Sequence, residues 1–236
     1  MPDSAAMLSV QGLQAWYGES HVLRGVDIEV RKGELVTLLG RNGAGKTTTL
    51  RSIMGNLGRT TGSIRFEGQE LSGMVRHRIP RLGIGYVPEE RGIFPSLSVD
   101  ENLILPPVLR EGGMSIAAIY ELFPNLRGRG TTPGTRLSGG EQQMLAIARV
   151  LRTGARLILL DEPTEGLAPV IVEQIGAAIR ILKAQGFTIL MVEQNFRFAA
   201  TIADRHYVFG EGHVVDMIPN DQIEANIGKL HDYLGV

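Results

Sequence analysis

The sequence predicts an α/β fold: a mainly parallel sheet carrying helices, an antiparallel β portion near the N-terminus, and a small helical insertion. Three observations predict it. Apolar runs of strand length recur at 35–39, 157–160 and 188–192. They are continuous rather than alternating, as strands buried on both faces require. Helical patterns lie among them at 47–54, 141–151 and 171–185, and strands alternating with helices build a parallel sheet. Between the two alternating parts, residues from about 99 to 126 carry helical signals broken by Pro106-Pro107 and Gly112-Gly113.

Taken in order, 8–10 and 22–30 read as short strands around a turn at Tyr17-Gly18. The run at 35–39 ends in glycine, and the helix that follows stops near Gly55 and Gly58. Residues 63–66 form a further strand before a turn at Glu67-Gly68-Gln69. The expected organisation is one domain over 7–236. Its α/β core spans 7–98 and 136–236, and the helical insertion spans 99–135.

Composition removes several classes of function. With 236 residues, 43% of them hydrophobic, the chain can bury a sizeable core. A net charge of -1 gives no sign of a nucleic-acid partner. The absence of cysteine excludes a disulfide framework and thiolate metal sites, and fits a reducing cytosol. Residues 1–10 lack the basic flank and apolar run of a signal peptide, and no stretch nears the roughly 20 apolar residues of a membrane span. A membrane role would therefore require docking on other chains. His21, His77, His206, His213 and His231 show no metal spacing and read as surface or turn residues. Arg76-His77-Arg78 reads as solvated surface, and Met144 and Leu145 as core.

The strongest local signal is Gly40-Arg41-Asn42-Gly43-Ala44-Gly45-Lys46-Thr47, a G-x-x-x-x-G-K-[ST] pattern between a strand and a helix. Glycines let the main-chain N–H groups turn inward around an anion, and the helix N-terminus adds its dipole. Lys46 brings a full charge to the β- and γ-phosphates of a nucleotide, and Thr47 offers a hydroxyl to Mg²⁺. The run 157–160 ends in Asp161-Glu162, at the strand edge where parallel sheets bind ligands. Asp161 can hold Mg²⁺ through water, and Glu162 can orient or deprotonate an attacking water.

Leu137-Ser138-Gly139-Gly140-Glu141-Gln142-Gln143 resembles the signature motif of ABC ATPases. It follows the phosphate loop in the family's order, and the resemblance covers essentially the whole chain. It implies a RecA-like P-loop NTPase core with ATP and Mg²⁺ as cofactors. It also implies head-to-tail pairing of two cassettes, with Ser138, Gly139 and Gly140 of one closing over ATP held by the other. The implied nucleotide-binding set is Tyr17 at the adenine-stacking position, Gly40, Arg41, Asn42, Gly43, Ala44, Gly45, Lys46, Thr47 and Thr48, with the signature residues. The implied metal ligands are Thr47, Asp161 and Glu89; the catalytic set is Glu162, Lys46 and Gln194.

Three positions depart from the common pattern. Glu89 stands where a glutamine is usual, Gln194 where most relatives carry histidine, and Ala168 where aspartate is common. Gln194 can bond a γ-phosphate but cannot carry a proton as imidazole does, so these departures bear on hydrolytic rate. Together, Tyr86-Val87-Pro88-Glu89, Gly166-Leu167-Ala168-Pro169 and Val192-Glu193-Gln194-Asn195 resemble the LivF type, an ATPase of branched-chain amino acid importers. The ending Leu230-His231-Asp232-Tyr233-Leu234-Gly235 is similar too. That type implies a LivG-like partner cassette or a second copy, two membrane permeases, a substrate-binding protein and a place on the inner face of the cell membrane. The sibling type is the urea/amide importer ATPase; the segment 109–135 is short and glycine-rich for either. ABC ATPases of DNA repair or ribosomes usually carry long coiled coils or two cassettes, and this chain has no sustained heptads and no second phosphate loop.

Overall fold

Residues 6–235 are described in a computed structural model of the chain. Val236, the last residue of the expected domain, and residues 1–5 of the stretch read for a signal peptide lie outside them. Strands β1 (Ala6–Tyr17) and β2 (Ser20–Arg31) form an antiparallel hairpin, and Leu8, Val10, Leu13, Leu23, Val26 and Val30 are buried along it. β1 runs well beyond the short segment expected at 8–10, whereas β2 overruns 22–30 by two residues at its start and one at its end. Gln11, Arg24 and Asp27 are exposed side chains that interrupt the apolar run without ending the strand. The turn falls at Gly18 and Glu19, because Tyr17 still pairs with Ser20. At the hairpin tip Trp16 stacks on His21 with ring centroids 4.5 Å apart, and Arg59 lies 4.4 Å over the indole.

β3 (Leu35–Gly40) is buried at every position and feeds α1 (Lys46–Ile53). β4 (Arg59–Phe66) and the short β5 (Gln69–Glu70) complete a four-stranded antiparallel sheet, ordered β2-β1-β4-β5. β6 (Ile84–Val87) then enters the second sheet.

Three helices follow before the next strand: α2 (Val99–Ile104), α3 (Ile116–Leu122) and α4 (Gly139–Arg152). Ser98 caps α2 and Ser138 caps α4, each in a reciprocal box with Glu101 or Glu141. Such a cap is worth about 1 kcal/mol. Pro106-Pro107 and Gly112-Gly113 fall in the irregular stretch between α2 and α3.

The remainder alternates: β7 (Leu157–Asp161), α5 (Pro169–Ala184), β8 (Thr188–Glu193), α6 (Phe196–Ala200), β9 (Arg205–Gly210), β10 (His213–Pro219) and α7 (Ile227–Leu234). The second sheet is ordered β10-β9-β3-β8-β7-β6, parallel throughout except for β10.

One core lies between the sheets and α1, joining Leu8, Leu23 and Phe66 to Leu38, Leu159 and Leu190. The opposite face of the parallel sheet packs Ile158, Leu160 and Met191 against Leu145, Ile147, Ile175 and Ile179 of α4 and α5, and the same cluster takes in Leu103 and Ile119. Each such side chain contributes about 1.5–3 kcal/mol on leaving water. Met144 and Leu145 are buried there. Among the described residues no helix is long and apolar enough to cross a membrane.

The surface reading of the histidines is corrected at His206 and His21. His206 on β9 is fully buried, with Nδ1 2.6 Å from Thr37 Oγ1 and Nε2 2.9 Å from Asn220 Oδ1. Burial holds its pKa below the usual histidine value, against the pull of its Asn220 hydrogen bond. It is an interior bridge between β3 and the segment after β10. His21 is half-buried in its stack on Trp16.

Candidate active site

The loop 41–45 leaves β3 and enters α1 through backbone that suits glycine. Gly43 and Gly45 have φ of 80° and 106°. Gly40, at φ 155°, runs so close to β9 that an added Cβ would lie 2.7 Å from the Phe209 carbonyl oxygen. This path leaves the first N–H groups of α1 free of helical partners and facing the cleft side.

Lys46 is almost wholly buried. Its ammonium donates to the carbonyl oxygens of Gly40 at 2.7 Å and Arg41 at 3.0 Å. It also lies 3.7 Å from Glu162 Oε1. Burial lowers its pKa, and the carboxylates of Glu162 and Asp161 pull it back up. The ammonium is thus held between the loop and the acidic end of β7.

Thr47 donates its hydroxyl to Asp161 Oδ1 at 2.8 Å, and Tyr86 donates to the other carboxylate oxygen at 2.9 Å. Asp161 is fully buried. Burial raises its pKa, opposed by the Thr47 and Tyr86 hydrogen bonds. Burial and the adjacent Asp161 carboxylate likewise push the Tyr86 phenol upward. A hydroxyl and a carboxylate side by side are hard oxygen donors, the chemistry Mg²⁺ takes.

Glu162 follows β7 with φ 47°, an uncommon value for a residue with a side chain. Its second oxygen accepts from the Gln194 amide nitrogen at 2.6 Å. Glu162 therefore sits between Lys46 at the start of α1 and Gln194 of the loop after β8. The order β3-β8-β7 brings all three strand ends to one rim.

A cleft of about 530 Å³ opens at that rim, lined by Tyr17, Asn42, Gly43, Gly45, Lys46, Thr47, Thr48, Glu89 and Glu162. Tyr17 is exposed at its mouth. The other expected residues are placed differently. Asp161 lies beneath the cleft, bonded to Thr47. Ala44 is buried, and its carbonyl oxygen accepts from Gly212 N at 3.1 Å. The Arg41 side chain turns away and donates to Leu234 O at 3.2 Å. Gln194 lines a neighbouring cavity of about 600 Å³ and reaches the cleft only through Glu162.

Ser138, Gly139 and Gly140 do not line the cleft within one chain. They open α4, where an added Cβ on Gly140 would lie 2.5 Å from Ile171 Cγ2. Gln142 of that segment accepts from Arg91 at 2.8 Å, so the segment after Glu89 is tied to it.

Arg51, Glu165 and Tyr86 belong to the site and were missed by sequence reasoning. Arg51 and Glu165 line the cleft. A hydrogen bond with the Tyr17 hydroxyl raises the Arg51 pKa, and burial followed by the Glu162 charge raises that of Glu165. Arg51 stands four residues after Thr47, one turn along α1, which is the signal that would have found it. Nothing local marks Glu165 or Tyr86.

The arrangement suits a triphosphate: glycine loop and buried ammonium for the phosphates, paired oxygens for a hard cation, and a carboxylate beside the ammonium for water. Residues 23–165 match the family model described as ABC transporter. The chain is 44% identical to the high-affinity branched-chain amino acid transport ATP-binding protein BraG of Pseudomonas aeruginosa, over 97% of this chain and 100% of that one. It is 38% identical to the probable branched-chain amino acid transport ATP-binding protein LivF of Archaeoglobus fulgidus, over 88% and 90%. The crystal structure of a nucleotide-free ATP-binding cassette from an ABC transporter superposes with a TM-score of 0.85 over 98% of this chain and 99% of the other, at 24% identity, which speaks for the fold. The chain belongs to the ABC transporter family, as one of its ATP-hydrolysing subunits.

Proposed function

We propose that this chain powers the import of branched-chain amino acids. In this reading it binds ATP in the cleft at the rim of β3, β7 and β8. It pairs head to tail with a second cassette, LivG-like or a copy of itself, whose Ser138-Gly139-Gly140 equivalent closes over the nucleotide. The pair docks on the inner face of the membrane beneath two permeases fed by a substrate-binding protein. The full-length similarity to BraG supports the cargo.

The observation that carries the reading is the meeting of Lys46 and Glu162 at 3.7 Å. Hydrolysis forms a bond from water oxygen to the γ-phosphorus and breaks the bond to the β–γ bridging oxygen, leaving ADP and phosphate. Lys46 neutralises charge on the phosphate oxygens while Glu162 accepts the water's proton. Thr47 and Asp161, with Glu89 at the cleft edge, would hold Mg²⁺, which supplies further charge neutralisation when bound. The loop N–H groups orient the phosphate chain, and Tyr17 offers a ring face to adenine. ATP favours the closed pair of cassettes because it binds that state better, and closure moves the permeases.

The test is reconstitution with a second cassette, two permeases and a substrate-binding protein. ATP-dependent uptake of leucine, isoleucine or valine is expected, together with phosphate release. Uptake of urea or short amides without leucine would reassign the cargo. Association with ribosomes or DNA, and none with membranes, would remove transport altogether.

A further inference from the structure

Glu193 ends β8, between Val192 and Gln194. Its side chain is 3% exposed, yet both oxygens are engaged. Oε1 accepts from the Thr164 hydroxyl at 2.6 Å. Oε2 accepts from the backbone N–H of Gln194 at 3.2 Å and of Asn195 at 3.3 Å. Thr164 lies two residues beyond Glu162, in the loop that leaves β7. One carboxylate thus ties together the loops leaving two adjacent parallel strands.

Each of those loops carries a group of the hydrolytic centre. The β7 loop holds Glu162 and the β8 loop holds Gln194, and these two meet at 2.6 Å. The connections form a closed ring: Glu193 to the Gln194 backbone, the Gln194 amide to Glu162, and Glu162 along the chain through Pro163 to Thr164 and back to Glu193. A buried carboxylate is costly to keep. Burial pushes the Glu193 carboxyl up to about 7, and the bonds from Thr164, Asn195 and Gln194 pull it back. Such a cost at this point is explained if the ring fixes where Glu162 sits.

We propose that Glu193 is a positioning residue of the hydrolytic centre, holding the Gln194 backbone and the Thr164 loop so that the Gln194 amide meets Glu162. This rests on the assignment of Glu162 to hydrolysis, which Glu162→Gln tests separately: turnover retained in that variant would remove the premise. Glu193 acts through Gln194, so its loss changes turnover and not nucleotide affinity.

The experiment measures kcat and KM for ATP with the full chain in its assembled transporter. Glu193→Ala is expected to lower kcat by about tenfold or more, since misplacing a catalytic group by an ångström costs about 10²-fold, with KM within about twofold. Glu193→Gln should retain turnover within about threefold. Its amide oxygen accepts the two N–H groups and its NH₂ donates to Thr164 Oγ1, so the ring survives without the charge. In a Gln194→Ala background, Glu193→Ala should cost no more than about threefold further, because its effect runs through the side chain already removed. Two results would overturn the proposal: a glutamine variant as slow as the alanine variant, or a full-sized alanine loss in the Gln194→Ala background. If Glu193→Ala does not fold, Thr164→Val keeps the shape and deletes one bond of the ring. Its several-fold loss of kcat must likewise vanish in the Gln194→Ala background, and persistence there overturns the proposal.

Discussion

The Lys46 ammonium lies 3.7 Å from Glu162 Oε1, with both side chains almost wholly buried. The same ammonium is fixed by two loop carbonyls. Lys46→Ala should therefore weaken ATP binding by tenfold or more, as loss of charged hydrogen bonds worth about 1.5–3 kcal/mol implies. Titration of the full chain with a fluorescent ATP analogue reads this directly. Wild-type affinity in the variant would remove Lys46 from the phosphate site.

Glu162→Gln keeps the side chain's shape and its contact with Gln194 while removing the proton acceptor. ATP affinity should stay within a few-fold. Phosphate release in the assembled transporter should fall by about 10²-fold or more, the usual worth of a general base. Turnover like that of the wild type would show that another group handles the water.

Gly40→Ala places a methyl group 2.7 Å from the Phe209 carbonyl oxygen, which lies in the backbone of β9 and cannot swing aside. The expected loss of stability is about 1–3 kcal/mol, the usual cost of overpacking. A lowered unfolding midpoint in urea, with ATP affinity reduced alongside, is the expected outcome.

The Glu193 carboxyl is raised from 4.5 to about 7 in the folded chain. Between those values the folded state binds more protons than the unfolded one, so stability falls as pH rises across that window and levels off above it. The full span is at most about 3 kcal/mol, at 1.36 kcal/mol per unit. Burial raises Asp161 in the same direction. Buried His206, with its lowered pKa, contributes in the opposite sense. In urea denaturation at pH 5 and pH 8 the wild type should therefore lose more stability, or gain less, at the higher pH than Glu193→Gln does, and an equal change in the two proteins would place the titration elsewhere.

Much of the fold was readable because its information is local. The run at 35–39, the glycines after it and the helix at 47–54 are contiguous, and β3 and α1 lie within a residue or two of those bounds. β9 escaped notice because Arg205 and His206 look like surface residues. Their partners are remote in sequence: Glu34 holds Arg205 at 2.7 Å, and Thr37 holds His206. β6 was hidden by Gly85, where a Cβ would collide with the Val150 side chain and crowd Ala155 Cβ at 3.0 Å. No strand propensity announces a position kept empty for a neighbour.

The site divides in the same way. Residues 40–48 form one uninterrupted stretch, so the gathering of Asn42, Gly43 and residues 45–48 in a single cleft could be read from spacing. The contact between Gln194 and Glu162 could not, since it depends on β7 and β8 being neighbours in the sheet. Nor could the bridge made by Glu193, because a glutamate after an apolar run reads as the solvated end of a strand.

β6 is the edge strand of its sheet, and the whole stretch from Pro88 to Arg156 departs from it and returns through β7 beside it. Because it leaves from the margin, the helices of that excursion interrupt no strand pairing, and Leu103 of α2 and Ile119 of α3 pack in one buried cluster with α4 and the sheet. Arg91, bonded to Gln142, spans the outgoing and returning limbs of the excursion, so the segment after Glu89 and the start of α4 are joined directly, outside the sheet.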